Sequence, residues 1–170
     1  MLVSHVHYDH LDRGSLRRLP DVREVDVGDE VSVGGVRIEA TPALHTSSRA
    51  TVRWTPALGF LIHGSRQVYF AGDTDLFPEM EALAGSIDLA LLPVAGWGPR
   101  LPPGHLDPQR AAEALRLLRP RIAVPIHWGT YALAGRRTSA DPPETFRRLA
   151  SELAPEVEIR VLPPGGATTY

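Results

Sequence analysis

The run Ser4-His5-Val6-His7-Tyr8-Asp9-His10-Leu11-Asp12 constrains this chain more than anything else in it. Three imidazoles and two carboxylates fall within it, although the whole chain holds only 7 histidines. Imidazole nitrogen and carboxylate oxygen are the donors that suit zinc, and also manganese or iron. His5 and His7 are two apart, so from an extended backbone both side chains point the same way. Asp9 and His10 are adjacent and diverge, which lets them serve a second ion nearby. Two-metal hydrolases keep their ions roughly 3.5–4 Å apart with an activated water between them. A strand end that spills its donors into a loop ahead of a helix meets that need.

The remaining sequence supplies strands and helices that end on further donors. Residues 2–4 read as the end of a strand and 12–19 as a short helix closed by Pro20. Residues 30–33 and 36–40 form a hairpin around Gly34-Gly35, and its second strand leads to His45. Residues 58–62 and 68–71 form another hairpin, around His63-Gly64-Ser65, and lead to Asp73. Residues 79–84 are predicted helical and 88–94 a buried strand. Asp107 caps a helix with Pro108 at its first position, and Ala111, Ala112, Leu115 and Leu118 give it an apolar stripe. Residues 121–126 form a buried strand ending at His127. A helix over 143–153 and a strand over 157–162 follow. Donor after donor thus falls at or just beyond a strand's C-terminal end. Taken singly, His45, Asp73 and His127 would each read as an ordinary loop, turn or core residue.

Composition narrows the class. The 170 residues amount to one domain, 1–170, and 43% hydrophobic content is ample for its core. The net charge of −2 implies no general attraction to nucleic acid or an anionic membrane. All 18 basic residues are arginine, and with no basic stripe a nuclease is disfavoured. Cysteine is absent, which removes disulfides and thiolate ligands. No apolar run approaches the roughly 20 residues of a membrane span, and no signal peptide precedes the first motif. A cytoplasmic protein with no transmembrane segment is the expectation.

Four segments together resemble the metallo-β-lactamase fold superfamily. They are the opening His-x-His-x-Asp-His run, Pro42-Ala43-Leu44-His45, Phe70-Ala71-Gly72-Asp73-Thr74, and Pro125-Ile126-His127-Trp128-Gly129-Thr130. With Gly104-His105-Leu106-Asp107-Pro108, the set is most similar to the branch containing N-acyl-phosphatidylethanolamine-hydrolysing phospholipase D. The ascorbate-6-phosphate lactonases are a more distant likeness. The resemblance implies an α/β (α+β) protein, an αββα sandwich. Relatives carry several strands ahead of the first motif, so it also implies an N-terminally truncated sandwich. The chain would then start part-way along a longer protein, be a fragment, or have its open sheet edge covered in a homo-oligomer.

For the site, the resemblance implies two divalent metal ions, zinc first, with manganese or iron as alternatives. His5, His7 and His45 would hold one, Asp9, His10 and His127 the other, and Asp73 would bridge them. Asp9 and His105 are the candidate catalytic residues. His105 would hydrogen-bond the developing oxyanion or protonate the leaving oxygen. The expected reaction is attack of a metal-bridging hydroxide on a phosphodiester of a small-molecule or lipid-like substrate. A lactone or other cyclic ester is the alternative, and a non-catalytic metal-binding remnant is the competing reading. Arg100 could pair with a phosphate, and Trp97 and Trp128 could line an apolar pocket. Asp12 either orients a ligand histidine or caps the first helix. His63 is structural or exposed.

Overall fold

The fold is known from a computed structural model that describes residues 1–49, 52–94, 101–129 and 141–170. Trp97, Arg100 and Thr130 lie outside the described residues. Strands β1 (Glu30–Val33), β2 (Val36–Arg49), β3 (Val52–His63), β4 (Gln67–Phe70), β5 (Leu89–Pro93), β6 (Ile122–Ile126) and β7 (Glu158–Ile159) form one 7-stranded sheet in chain order. β1 to β4 are an antiparallel meander. β4 to β7 run parallel. Parallel neighbours need a crossover. A 3-10 helix (Pro78–Leu83), α2 (Pro108–Leu118) and α3 (Pro142–Leu153) lie in the three crossovers. The short α1 (Arg13–Leu16) precedes the sheet.

Period-two alternation decides what each face buries. Leu61, Tyr69, Ala90, Leu92 and Ala123 point to the helical side. There they join Met80, Leu115, Leu118, Phe146 and Ala150 in the main core. Their strand neighbours Phe60, Leu89, Ile122 and Val124 point the other way. Val25 and Leu162, from segments outside the sheet, pack on that second face. Val68, Phe70, Leu91 and Ile126 stay half-buried there.

The parallel strands give the sheet a common rim. β4, β5 and β6 all end on one edge, so the segments after Phe70 and Ile126 and the one leading into α2 meet there. β3 is antiparallel to β4 and begins on that rim, and the far half of β2 lies beside it. The opening segment joins them where the Leu58 N–H donates to the Ser4 carbonyl at 2.9 Å.

Several elements differ from the sequence expectation. Residues 2–4 form no strand and are joined to β3 by the Leu58–Ser4 bond. α1 is shorter than expected because Asp12 caps it and Pro20 stands close behind. β2 continues through His45 instead of ending before it, and its register against β3 shifts between Pro42 and Thr46. The helix expected over 79–84 is present one residue earlier, Pro78–Leu83, and is of the 3-10 type. β7 is two residues long, with the Arg160 N–H making one more bond to the Ala123 carbonyl of β6 at 3.0 Å. Among the described residues, no helix is long and apolar enough to cross a membrane.

Candidate metal centre

The rim collects His5, His7, His10, His45, His105 and His127 around the carboxylate of Asp73. The exception among the histidines is His63. It ends β3, and its Nε2 lies 3.4 Å from Glu39 Oε2. Asp73 is buried, and its Oδ2 lies 3.4 Å from His10 Nε2, 3.4 Å from His127 Nε2, 3.7 Å from His105 Nε2 and 3.8 Å from His5 Nε2. Gly72 is what lets the carboxylate reach this point. Its φ of +63° turns the chain off β4, and a Cβ there would meet the Leu58 carbonyl oxygen at 2.5 Å.

On one side of Asp73 stand three imidazoles. His5 Nε2 is 3.0 Å and His45 Nε2 3.3 Å from His7 Nδ1. Nitrogens about 2.0–2.1 Å from a tetrahedral zinc are separated by roughly 3.3 Å. Of the two outer rings, His45 is held in the tautomer such a site needs, and His5 has a hydroxyl partner able to accept the same proton. His5 Nδ1 is 2.9 Å from Ser4 Oγ, and His45 Nδ1 is 2.9 Å from the Gly104 carbonyl oxygen. His45 Nδ1–H donates to that carbonyl, and a proton of the Ser4–His5 bond likewise sits away from the centre when His5 Nδ1–H is the donor. Both Nε2 lone pairs then face His7. One N–H on His7 could satisfy only one of them in full, whereas a cation accepts all three nitrogens.

On the other side stand His10, His127 and Asp9. Asp9 Oδ2 lies 3.7 Å from His10 Nε2 and 3.9 Å from His127 Nε2. His10 Nε2 is buried and has no hydrogen-bond partner among the described residues. A buried ring nitrogen whose nearest polar neighbour, Asp73 Oδ2, stands at 3.4 Å is left poorly satisfied, at a cost in free energy unless something polar or cationic fills the space beside it. Groups of three able to hold an ion are therefore His5/His7/His45, His5/His10/Asp73, Asp9/His10/His127 and His45/Asp73/His105. These donors fit divalent ions in the way the family resemblance implies.

Electrostatics follows the same division. Burial lowers the pKa of His5 to about 3, with its neighbour His10 adding to the effect. Burial also lowers His7 and His45. These rings are neutral at pH 7, the form that ligates. Burial pushes the Asp73 carboxyl up, but His10 and His127 more than reverse this and leave it below the usual carboxylate range. The contact with Asp73 raises His127.

His105 enters from a different segment. Its Nδ1 lies 3.1 Å from the Pro102 carbonyl oxygen, which receives the Nδ1–H and turns Nε2 toward Asp73. Asp12 is an N-cap, accepting from the Gly14 and Ser15 amides at 3.2 and 2.7 Å. Trp128 is half-buried against the main core, and its Nε1–H donates to the Pro125 carbonyl. Ser4, Gly72 and Gly104 were not singled out from sequence. Ser4 and Gly104 stand beside His5 and His105, and adjacency is the one signal they carry.

Comparison with known proteins agrees with this geometry. A family described as the beta-lactamase superfamily domain matches residues 18–128. A UPF0173 protein of Pyrococcus furiosus is 32% identical, over 88% of this chain and 72% of its own. A UPF0173 metal-dependent hydrolase of Pyrococcus abyssi is 33% identical, over 97% of this chain and 78% of its own. The matched share of other relatives falls lower, to 52% in Caldivirga maquilingensis. Among solved structures, Igni18, a metallo hydrolase of Ignicoccus hospitalis, superposes with a TM-score of 0.70 at 26% identity, covering 98% of this chain and 76% of that one. The metal-ligand motifs, the mixed sheet that carries them and these likenesses agree: the chain belongs to the β-lactamase superfamily, in its UPF0173 family of metal-dependent hydrolases.

Proposed function

We propose that this chain is the site-bearing part of a binuclear hydrolase that cleaves a phosphodiester of a small or lipid-like molecule. The observation that carries the two-metal reading is the position of Asp73 Oδ2. It lies within 3.8 Å of His5, beside the three-imidazole group, and 3.4 Å from both His10 and His127. In this reading His5, His7 and His45 hold one ion, Asp9, His10 and His127 the other, and Asp73 contacts both. Zinc suits the nitrogen-rich first group best, with manganese or iron as alternatives for the second. Divalent ions held there supply an activated water and stabilise negative charge on the substrate.

The chain's own residues supply the rest. Ser4 and Gly104 orient ligand rings. Asp9 is the most exposed carboxylate of the cluster, so it faces incoming substrate and can take a proton from the attacking water. His105 holds its Nδ1–H on Pro102, which leaves Nε2 to pass a proton to the leaving oxygen. The phosphodiester assignment rests on the likeness of Gly104-His105-Leu106-Asp107-Pro108 to the phospholipase branch.

Elemental analysis of the purified chain tests the site, with about two ions per chain expected. A screen of phosphodiesters beside lactones then tests the substrate class. The His105→Ala variant should keep both ions and lose about 10²-fold or more in kcat. Turnover of lactones alone would overturn the phosphodiester assignment. Fewer than one ion per chain would overturn the two-metal reading.

A further inference from the structure

We propose that Asp75 is a positioning residue that sets both His45 and His105 through the backbone of Gly104. This rests on the metal-site reading above. Asp75 follows Asp73 by two residues and is only 7% exposed. A buried carboxylate must be paired and hydrogen-bonded, and every donor it has found belongs to a segment of the site. Oδ1 accepts from the Leu76 N–H at 2.8 Å, and Oδ2 from the Gly104 N–H at 3.3 Å. The guanidinium of Arg110, in the first turn of α2, reaches Oδ1 at 2.9 Å and Oδ2 at 3.1 Å.

Gly104 is the joint on which this acts. Its N–H is held by Asp75, and its carbonyl receives the His45 Nδ1–H at 2.9 Å. Its φ is +88°, and a Cβ there would stand 3.0 Å from His45 Nδ1, so the peptide lies directly behind the ring. The N–H belongs to the peptide before Gly104 and the carbonyl to the peptide after it, so the Asp75 bond fixes the first and with it the start of the second. Once it is lost, the two torsions of this glycine are freer to turn, which would withdraw the acceptor from His45 and carry the next residue, His105, with it. Arg110 ties the same carboxylate to α2, while Asp107 caps that helix by accepting from the Arg110 N–H at 2.8 Å. The segment carrying His105 is thus held at Gly104 by Asp75 and at Asp107 by the helix start.

The segment carrying Asp75 also grips β2. The Asp75 N–H donates to the Leu44 carbonyl at 3.1 Å. The Leu44 N–H donates to Thr74 Oγ1 at 2.9 Å, whose hydroxyl donates to the Asp75 carbonyl at 2.9 Å. His45 is therefore fixed along the backbone by Thr74 and Asp75, and at its ring by Asp75 through Gly104. Neither β2 nor the Gly104 loop could supply that restraint alone.

Two variants in the full chain test the proposal. Asp75→Ala removes every carboxylate acceptor. Asp75→Asn keeps an oxygen for Gly104 and gives up the charge facing Arg110. Zinc affinity is measured by competition with a chromophoric chelator, and the His45 tautomer by long-range proton–nitrogen NMR in the metal-free protein. Asp75→Ala should weaken zinc binding about 10–100-fold, the range seen for lost outer partners of a ligand. It should also release His45 from its Nδ1–H form. Asp75→Asn should restore the tautomer and bring zinc affinity to within about threefold of the parent. The proposal is overturned if Asp75→Ala keeps both the affinity and the tautomer, or if Asp75→Asn loses as much as Asp75→Ala. If Asp75→Ala does not fold, Asp75→Ser, too short to reach Gly104, takes its place under the same criteria. The tautomer is read without metal, so failure of the metal reading, seen as no zinc binding by the parent chain, stays separate.

Discussion

At the residue scale, Asp73 and His127 carry the most weight, for different reasons. Asp73 Oδ2 lies within 3.8 Å of His5 in one imidazole group and 3.4 Å from His10 and His127 in the other. Asp73→Ala should therefore lower the metal content and reduce turnover by more than the roughly 10–100-fold that follows loss of an outer partner. Retention of most of the rate together with two ions would refute the bridging role. His127 pays a backbone cost for its place, since its φ is +60°. Side chains with a Cβ adopt that region reluctantly, at about 1 kcal/mol or more. A direct measure is the difference between His127→Gly and His127→Ala, both of which lack the imidazole. In metal-free denaturant unfolding the glycine variant should be the more stable by about 1 kcal/mol. Equal stabilities would mean that the backbone relaxes at no cost.

Elements explain why some of this was legible in sequence and some was not. The Gly34-Gly35 turn, the apolar runs of β5 and β6 and the Asp107-Pro108 helix start are local signals, and the structure follows them. Asp107 accepts from the Arg110 N–H, so Asp107→Ala should cost about 1 kcal/mol in global unfolding. A loss well under half of that would show that solvent or a neighbour replaces the cap. What sequence could not reveal are features set by partners far along the chain. The shift of register between Pro42 and Thr46 turns β2 as it passes His45. Pro42, which has no N–H for a ladder, allows an irregularity there, but where the register shifts depends on how β3 pairs opposite. The helix from Pro78 takes the 3-10 form where Phe77 supplies no side-chain cap and only six residues are available. The candidate ligands were named as an ordered set by resemblance, and the structure brings their side chains together. Their outer partners Ser4 and Gly104 were not, since hydrogen-bond partners of a ring depend on tertiary approach.

At the scale of the whole molecule, a cluster of six histidines around one carboxylate makes folding respond to pH. His5, His7 and His45 have lowered pKa values in the folded chain, His5 to about 3 against an ordinary 6.5. Unfolding therefore takes up protons at these rings as pH falls below about 6.5, at His5 down to about 3, and stability falls with it. Asp73 acts in the same direction further into acid. Its stabilising contacts are present above the ordinary carboxylate pKa and are lost as pH drops through its depressed folded value. His127 is raised and opposes this, because its contact with Asp73 is fully present below pH 6.5 and fades as pH rises through its folded value. Between pH 7.5 and 5 three rings act against one, and Asp73 adds to them only in stronger acid. In chelator, the Tm of the chain should be lower at pH 5 than at pH 7.5. Saturating zinc should raise the Tm at pH 7.5, since an ion that binds only the folded chain stabilises it by mass action. A metal-free Tm that is flat or rises on acidification would mean that the three rings are already protonated in the folded chain. The neutral, lone-pair-inward arrangement on which the site depends would then be wrong.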